Sequence, residues 1–220
     1  MIWLQIQQTT EEVVTKQLTL FELIMKGGII LIPITILLLA SFYIFIERYQ
    51  FIQKVSQPEP DLLGTVKTYL KDGNIKSALE ICRARKSATA RIYEAALNRM
   101  GNSLSEIESS IESVANIIVT QMTLKLSYLG IIAGIAPMLG FVGTITGIIR
   151  IFYEISLSDN ISIGIIAGGL YEKMITSLAG LVVGIIAYTG YHLLSMKVDK
   201  FALKMETDAY ELLTFLSEPQ

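Results

Sequence analysis

Residues 168–188 read GGLYEKMITSLAGLVVGIIAY, and the decisive feature is a carboxylate, Glu172, at the entrance to a long uncharged run. From Met174 to Leu194 no side chain is ionised at neutral pH, and about 20 such residues cross a hydrocarbon core of ~30 Å as one helix. An ionisable group beside such a run is a functional position by default, because desolvating it costs several kcal/mol unless water or a partner meets it. Two readings of Glu172 stand side by side. It is a proton-handling group within the membrane, or it is a carboxylate near the surface, hydrated or paired with Lys173. Consecutive helix positions point ~100° apart, which works against that pairing.

Upstream, Leu126 to Ile149 forms a second run with no ionised side chain. On a helix of ~3.6 residues per turn, Ala136, Gly140, Gly143 and Gly147 fall within ~60° of one another and make a smooth stripe where backbones approach closely. Helix packing alone accounts for such a stripe. Thr144 sits beside it, either bonding a carbonyl of its own helix or lining a polar path. On the third helix Thr176 lies ~40° from Glu172, Gly180 ~80° and Ser177 ~140°. The two helices read as facing walls.

The rest of the chain extends this picture. Gly27 to Ile46 is a further uncharged run, and the proline inside it, Pro33, is tolerated in a membrane helix. Tyr43, Glu47, Arg48 and Tyr49 form an aromatic and charged exit. Residues 1–26 lack the basic lead and small-residue cleavage site of a secretory signal and read as a periplasmic or interfacial segment. Residues 47–125 have the composition of an aqueous helical region, with short amphipathic helices punctuated by Asp72-Gly73-Asn74. Ser103-Leu104-Ser105-Glu106 has the spacing of a capping box. Leu104, Ile107, Ile111, Val114 and Ile118 follow as a heptad stripe suited to packing on other helices. No proline intervenes before Pro137, so one helix of about 46 residues, ~69 Å long, is expected to run from there to Ile149.

Residues 150–160 read as a short periplasmic loop. The third spanning helix is expected over 161–194, and the tail over 195–220 as a charged amphipathic helix. Basic residues concentrate in the 47–125 region, which puts it and the tail in the cytoplasm and the N-terminus outside. The predicted fold is an all-α membrane protein with three transmembrane helices, 27–46, 126–149 and 161–194. The second and third form a long hairpin that extends into the cytoplasm.

Composition removes several function classes. The 220-residue chain has a net charge of −2 and a mean hydropathy of +0.53, and its basic residues alternate with acidic ones, so nucleic acid is not an expected partner. Cys82 and His192 are each the sole residue of their type, which precludes an intrachain disulfide and leaves a metal site without convergent ligands. With no nucleophile–base pair, metal cluster or phosphate loop, no enzyme activity, metal or cofactor is expected.

Four stretches carry a resemblance: KGGIILIPITILLLASFYIFIER, ALEICRARKSATARIYEAALNR, APMLGFVGTITGII and the opening GGLYEKMITSLAGLVVGIIAY. In this order they resemble the MotA/TolQ/ExbB proton-channel family, its ExbB branch most, since MotA-like subunits have four spans. The resemblance implies an inner-membrane homopentamer in a Gram-negative bacterium. Its second and third helices would line a pore around an ExbD-like single-span partner bearing an aspartate, and proton flow would drive a TonB-like protein. The family's pore threonine falls on Thr144, its glutamate on Glu172 and its third-helix threonine on Ser177. The helical wheel instead puts Thr176 on the glutamate's face, and Lys173, a possible modulator, stands where the family has a small apolar residue. The alternatives are a TolQ-like subunit for envelope maintenance and a non-conducting scaffold, the latter suggested by the heptad stripe and the glycine face.

Overall fold

A computed structural model describes residues 29–57, 59, 61–85, 87–157 and 163–217, without the side chains of residues 165 and 172. The N-terminal segment 1–26 and the last three residues of the 150–160 stretch therefore lie outside the described residues. Seven helices occupy the described chain in order: α1 (Leu31–Val55), α2 (Leu62–Lys71), α3 (Ile75–Ala84), α4 (Ala88–Leu97), α5 (Leu104–Thr123), α6 (Leu126–Ser156) and α7 (Ile163–Ser217). There is no strand among the described residues. α1, the α5–α6 stretch and α7 are each long and apolar enough to cross a membrane. This is a multi-pass, all-α membrane protein.

Three helix boundaries differ from the sequence expectation. α1 runs on past Ile46 to Val55, because Phe51, Ile52 and Val55 continue its apolar period and Ile52 is buried in a helical core. The long helix expected from Ser103 onward is interrupted by a turn at Leu124 and Lys125. There Thr123 Oγ1 donates to the carbonyls of Val119 and Thr120, both at 3.1 Å, and such side-chain bonds compete with the backbone ladder. Finally, helix continues through Arg150–Ser156, where an i,i+4 ion pair of Arg150 and Glu154 at 3.0 Å supports it.

The chain divides into two compact units, Met1–Ile36 with Ala136–Val182, and Leu37–Ile135 with Val183–Gln220. The second unit holds the main core. Leu62, Val66 and Leu70 of α2, Ala78 and Cys82 of α3, and Ile92, Tyr93 and Ala96 of α4 pack with Ile107, Ile111, Ile118 and Met122 of α5. One face of α7, Leu194, Val198, Phe201, Met205 and Leu212, closes this cluster. Burial pushes the Cys82 thiol up to about 11, so it serves as an inert small filler. The short helices are capped locally. Asn74 accepts from the Ser77 N–H, Ser87 from Ala90 and Ser103 from Glu106. The capping box is half formed, because the Glu106 carboxylate takes the Asn102 side-chain amide at 2.7 Å.

Candidate functional site

The first unit is built on the antiparallel contact between α6 and α7, and small residues determine how close the two backbones come. A Cβ placed on Gly180 would lie 2.5 Å from the Ala136 carbonyl oxygen and 2.9 Å from Gly140 Cα. One placed on Gly140 would lie 3.0 Å from the Ser177 carbonyl oxygen and 3.1 Å from Ser177 Cα. These are backbone atoms that cannot swing aside. A Cβ on Gly143 would meet Thr176 Cγ2 at 3.0 Å and Ile30 Cγ2 at 3.3 Å. At Gly147 the space is filled by the aliphatic stem of Lys173, and at Gly169 by the Ile151 side chain. Ala136 is fully buried. All four small positions of the α6 stripe thus lie on one contact line with α7.

Thr144 reaches across this line. Its Oγ1 lies 3.1 Å from the carbonyl oxygen of Lys173 and 3.3 Å from that of Gly140 on its own helix. The hydroxyl hydrogen is shared between the two helices. Each such bond contributes on the order of 1 kcal/mol, and it fixes the axial register of α6 on α7. The backbone of Glu172 is part of α7, one residue before that carbonyl; its side chain lies outside the described residues.

The two hydroxyl positions of the third helix separate. Thr176 is buried, 1 % exposed, with its methyl group against Gly143. Ser177 is half-buried and offers the seam its backbone. Lys173 is also half-buried, its stem lying along α6. Sequence reasoning flagged this lysine as anomalous but missed its relation to Gly147. The signal was available, since a glycine that ends a smooth stripe leaves a trough for a long side chain. It placed Arg48 in a charged exit but missed its burial: Arg48 is buried in the second unit, stacks 4.7 Å over the Phe51 ring and bonds Glu47 at 3.0 Å. Among the described residues no three metal-ligating side chains converge.

Comparison with known proteins bears on the same helices. The sequence profile described as the MotA/TolQ/ExbB proton channel family matches residues 84–207. This chain belongs to that family. Within it, the chain is 29 % identical over 189 residues to an ExbB homologue of Methanothermobacter thermautotrophicus named as a biopolymer transport protein, covering 86 % of this chain and 67 % of that one. It is 27 % identical over 190 residues to an ExbB-like biopolymer transport protein of Synechocystis, covering 83 % and 75 %. It is 25 % identical over 164 residues to the biopolymer transport protein ExbB of Neisseria gonorrhoeae, covering 68 % and 74 %. The MotA/TolQ/ExbB family match contains the whole of α5 and α6 and most of α7, so the Thr144–Lys173 contact lies within the shared region.

Proposed function

We propose that this chain is a proton-conducting motor subunit of the ExbB type. It sits in the inner membrane of a Gram-negative bacterium, N-terminus periplasmic and C-terminus cytoplasmic, as a homopentamer around an ExbD-like single-span partner carrying a membrane aspartate. Together they use the proton motive force to energise a TonB-like protein and outer-membrane transport. The observation that carries this reading is the Thr144 hydroxyl bonded across to the Lys173 carbonyl, which sets a polar group of α6 level with the helix turn that bears Glu172.

In this reading Glu172 exchanges protons with the partner's aspartate and Thr144 lines the path beside it. Ser177, half-exposed, is the third-helix hydroxyl left to the pore, while Thr176 packs the seam. Ala136, Gly140, Gly143, Gly147 and Gly180 hold the helix pair close, and Lys173 tunes Glu172 from the adjoining position. Each proton crossing brings ~2.3 kcal/mol per 100 mV, so a few protons bias a rotation between near-degenerate states. No covalent chemistry is involved. The names of the relatives favour ExbB-type transport over a TolQ-like role in envelope maintenance.

The test is Glu172→Ala in cells that depend on energised uptake. Uptake should be lost while the ring still purifies with its single-span partner. Uptake at the wild-type rate would remove Glu172 from the mechanism, and a ring whose function is indifferent to an uncoupler would make the chain a scaffold.

A further inference from the structure

Two clefts succeed one another along the α1–α7 groove of the second unit. The first, about 300 Å³, is lined by Phe42 and Phe45 of α1 and by Ile186, Gly190 and Leu193 of α7. The second, about 500 Å³, begins one turn further along both helices and is lined by Tyr49 and Ser56 of α1 and Lys197, Lys200 and Lys204 of α7. The stacked rings of Phe45 and Tyr49, with centroids 6.3 Å apart, bridge them. The groove therefore passes from an apolar trough to a cationic one at the point where the uncharged run of α7 ends at Leu194.

The three lysines form one face of α7 at i, i+3 and i+7. None of them makes an ion pair among the described residues. Of the acids around them, Glu47 is paired with Arg48 and Lys125. Asp208, which accepts from the Thr89 hydroxyl at 3.2 Å, also interacts with the charge of Lys204 one turn away, and Asp199 and Glu206 lie on the same helix. Lys197 Nζ is held 4.0 Å over the Tyr49 ring, which orients its ammonium without neutralising it. In the same cleft Ser56 Oγ is buried with no hydrogen-bond partner, an uncommon condition for a hydroxyl.

We propose that this groove binds one anionic phospholipid, its phosphate on Lys197, Lys200 and Lys204 and one acyl chain in the trough lined by Phe42, Phe45, Ile186 and Leu193. Basic pockets between membrane helices at the headgroup level suit anionic lipids. The lysines supply the selectivity, because an acyl chain gains little by leaving one apolar phase for another.

The test uses the full chain in mild detergent, titrated by native mass spectrometry with phosphatidylglycerol and, separately, phosphatidylcholine. One phosphatidylglycerol per chain should be retained in preference to phosphatidylcholine. Each lysine changed to glutamine should weaken phosphatidylglycerol binding about fivefold, so that K197Q/K200Q/K204Q loses the preference. Removing equal charge at Lys67, Lys71 and Lys76 should leave it intact. Ile186→Trp, which fills the trough without altering charge, should also weaken retention, and K200Q alone serves if the triple variant fails to assemble. The proposal is overturned if the triple variant retains the lipid as wild type does. It is equally overturned if glycerol phosphate competes as well as intact lipid, or if crosslinking at Phe42 shows a second copy of the chain seated in the groove.

Discussion

At the scale of single residues, the glycines of the seam are not equivalent, and their differences are measurable. Gly180→Ala drives a methyl group into the Ala136 carbonyl and Gly140 Cα, so the helix pair must separate. Overpacking of this kind costs about 1–3 kcal/mol, and a lowered melting temperature in nanodiscs is expected. Gly134 is exposed and has nothing within 4 Å of an added Cβ, so Gly134→Ala should be neutral or slightly stabilising. Equal effects at the two sites would contradict the tight α6–α7 contact. Thr144→Val keeps the shape and deletes the hydroxyl that bonds Lys173 O. It should lower stability by about 1 kcal/mol or less but cut proton-dependent uptake at least tenfold, and Thr144→Ser should restore most of it. A valine variant with normal uptake would leave that bond a purely structural role.

Between elements, Asp208 connects α7 to α4 by accepting from Thr89 Oγ1 at 3.2 Å. Its carboxyl is held above the ordinary carboxylate value chiefly by burial, while the Thr89 bond and Lys204 oppose the rise. A folded-state pKa above the unfolded one means that the native state holds the proton more tightly. The associated stability is complete below the unfolded value of about 3.9 and is lost as pH rises through the raised folded value. Asp208→Asn keeps an oxygen acceptor and removes the titration. Its melting temperature relative to wild type should therefore climb as pH rises through that window and level off above it. A difference that stays constant from pH 4 to pH 8 would show that Asp208 titrates alike in both states. The turn at Leu124 and Lys125 is also a matter between elements, since Lys125 makes its 2.6 Å ion pair with Glu47 of α1, and no pattern local to α5 or α6 announces that partner.

For the whole molecule, the outstanding property is the breadth of apolar surface left uncovered. Ile131, Ile135, Met138, Phe141, Val142 and Ile145 of α6 are all exposed, far beyond what a soluble monomer presents. Lipid and neighbouring subunits are the surroundings that suit it. The proposed pentamer is checked by native mass measurement of the chain co-expressed with its single-span partner; a monomer that binds no partner would refute the ring. The three long apolar helices were legible from uncharged runs because the bilayer demands unbroken hydrophobicity over ~20 residues. The short helices were legible from apolar period and from breakers such as Asp72-Gly73-Asn74, and the start of α5 from its cap at Ser103. Helix ends were less so: α1 outlasts its uncharged run because Ile52 finds a core supplied by residues distant in sequence.

The sequence by itself determined the class, the number of spanning helices, the family and the face on which Ala136, Gly140, Gly143 and Gly147 align. Each of these depends on local composition or on a period along one helix. Tertiary structure alone decided what meets that face. The wheel put Thr176 on the glutamate's face and the family resemblance pointed to Ser177, but neither could show which enters the contact with α6: Thr176 enters the seam and Ser177 stays half outside. Nor could either show that Lys173 lies in the trough left by Gly147 while lending its carbonyl to Thr144. The register between two helices is set by which side chains are absent as much as by which are present, and that complementarity exists only once the two backbones have met.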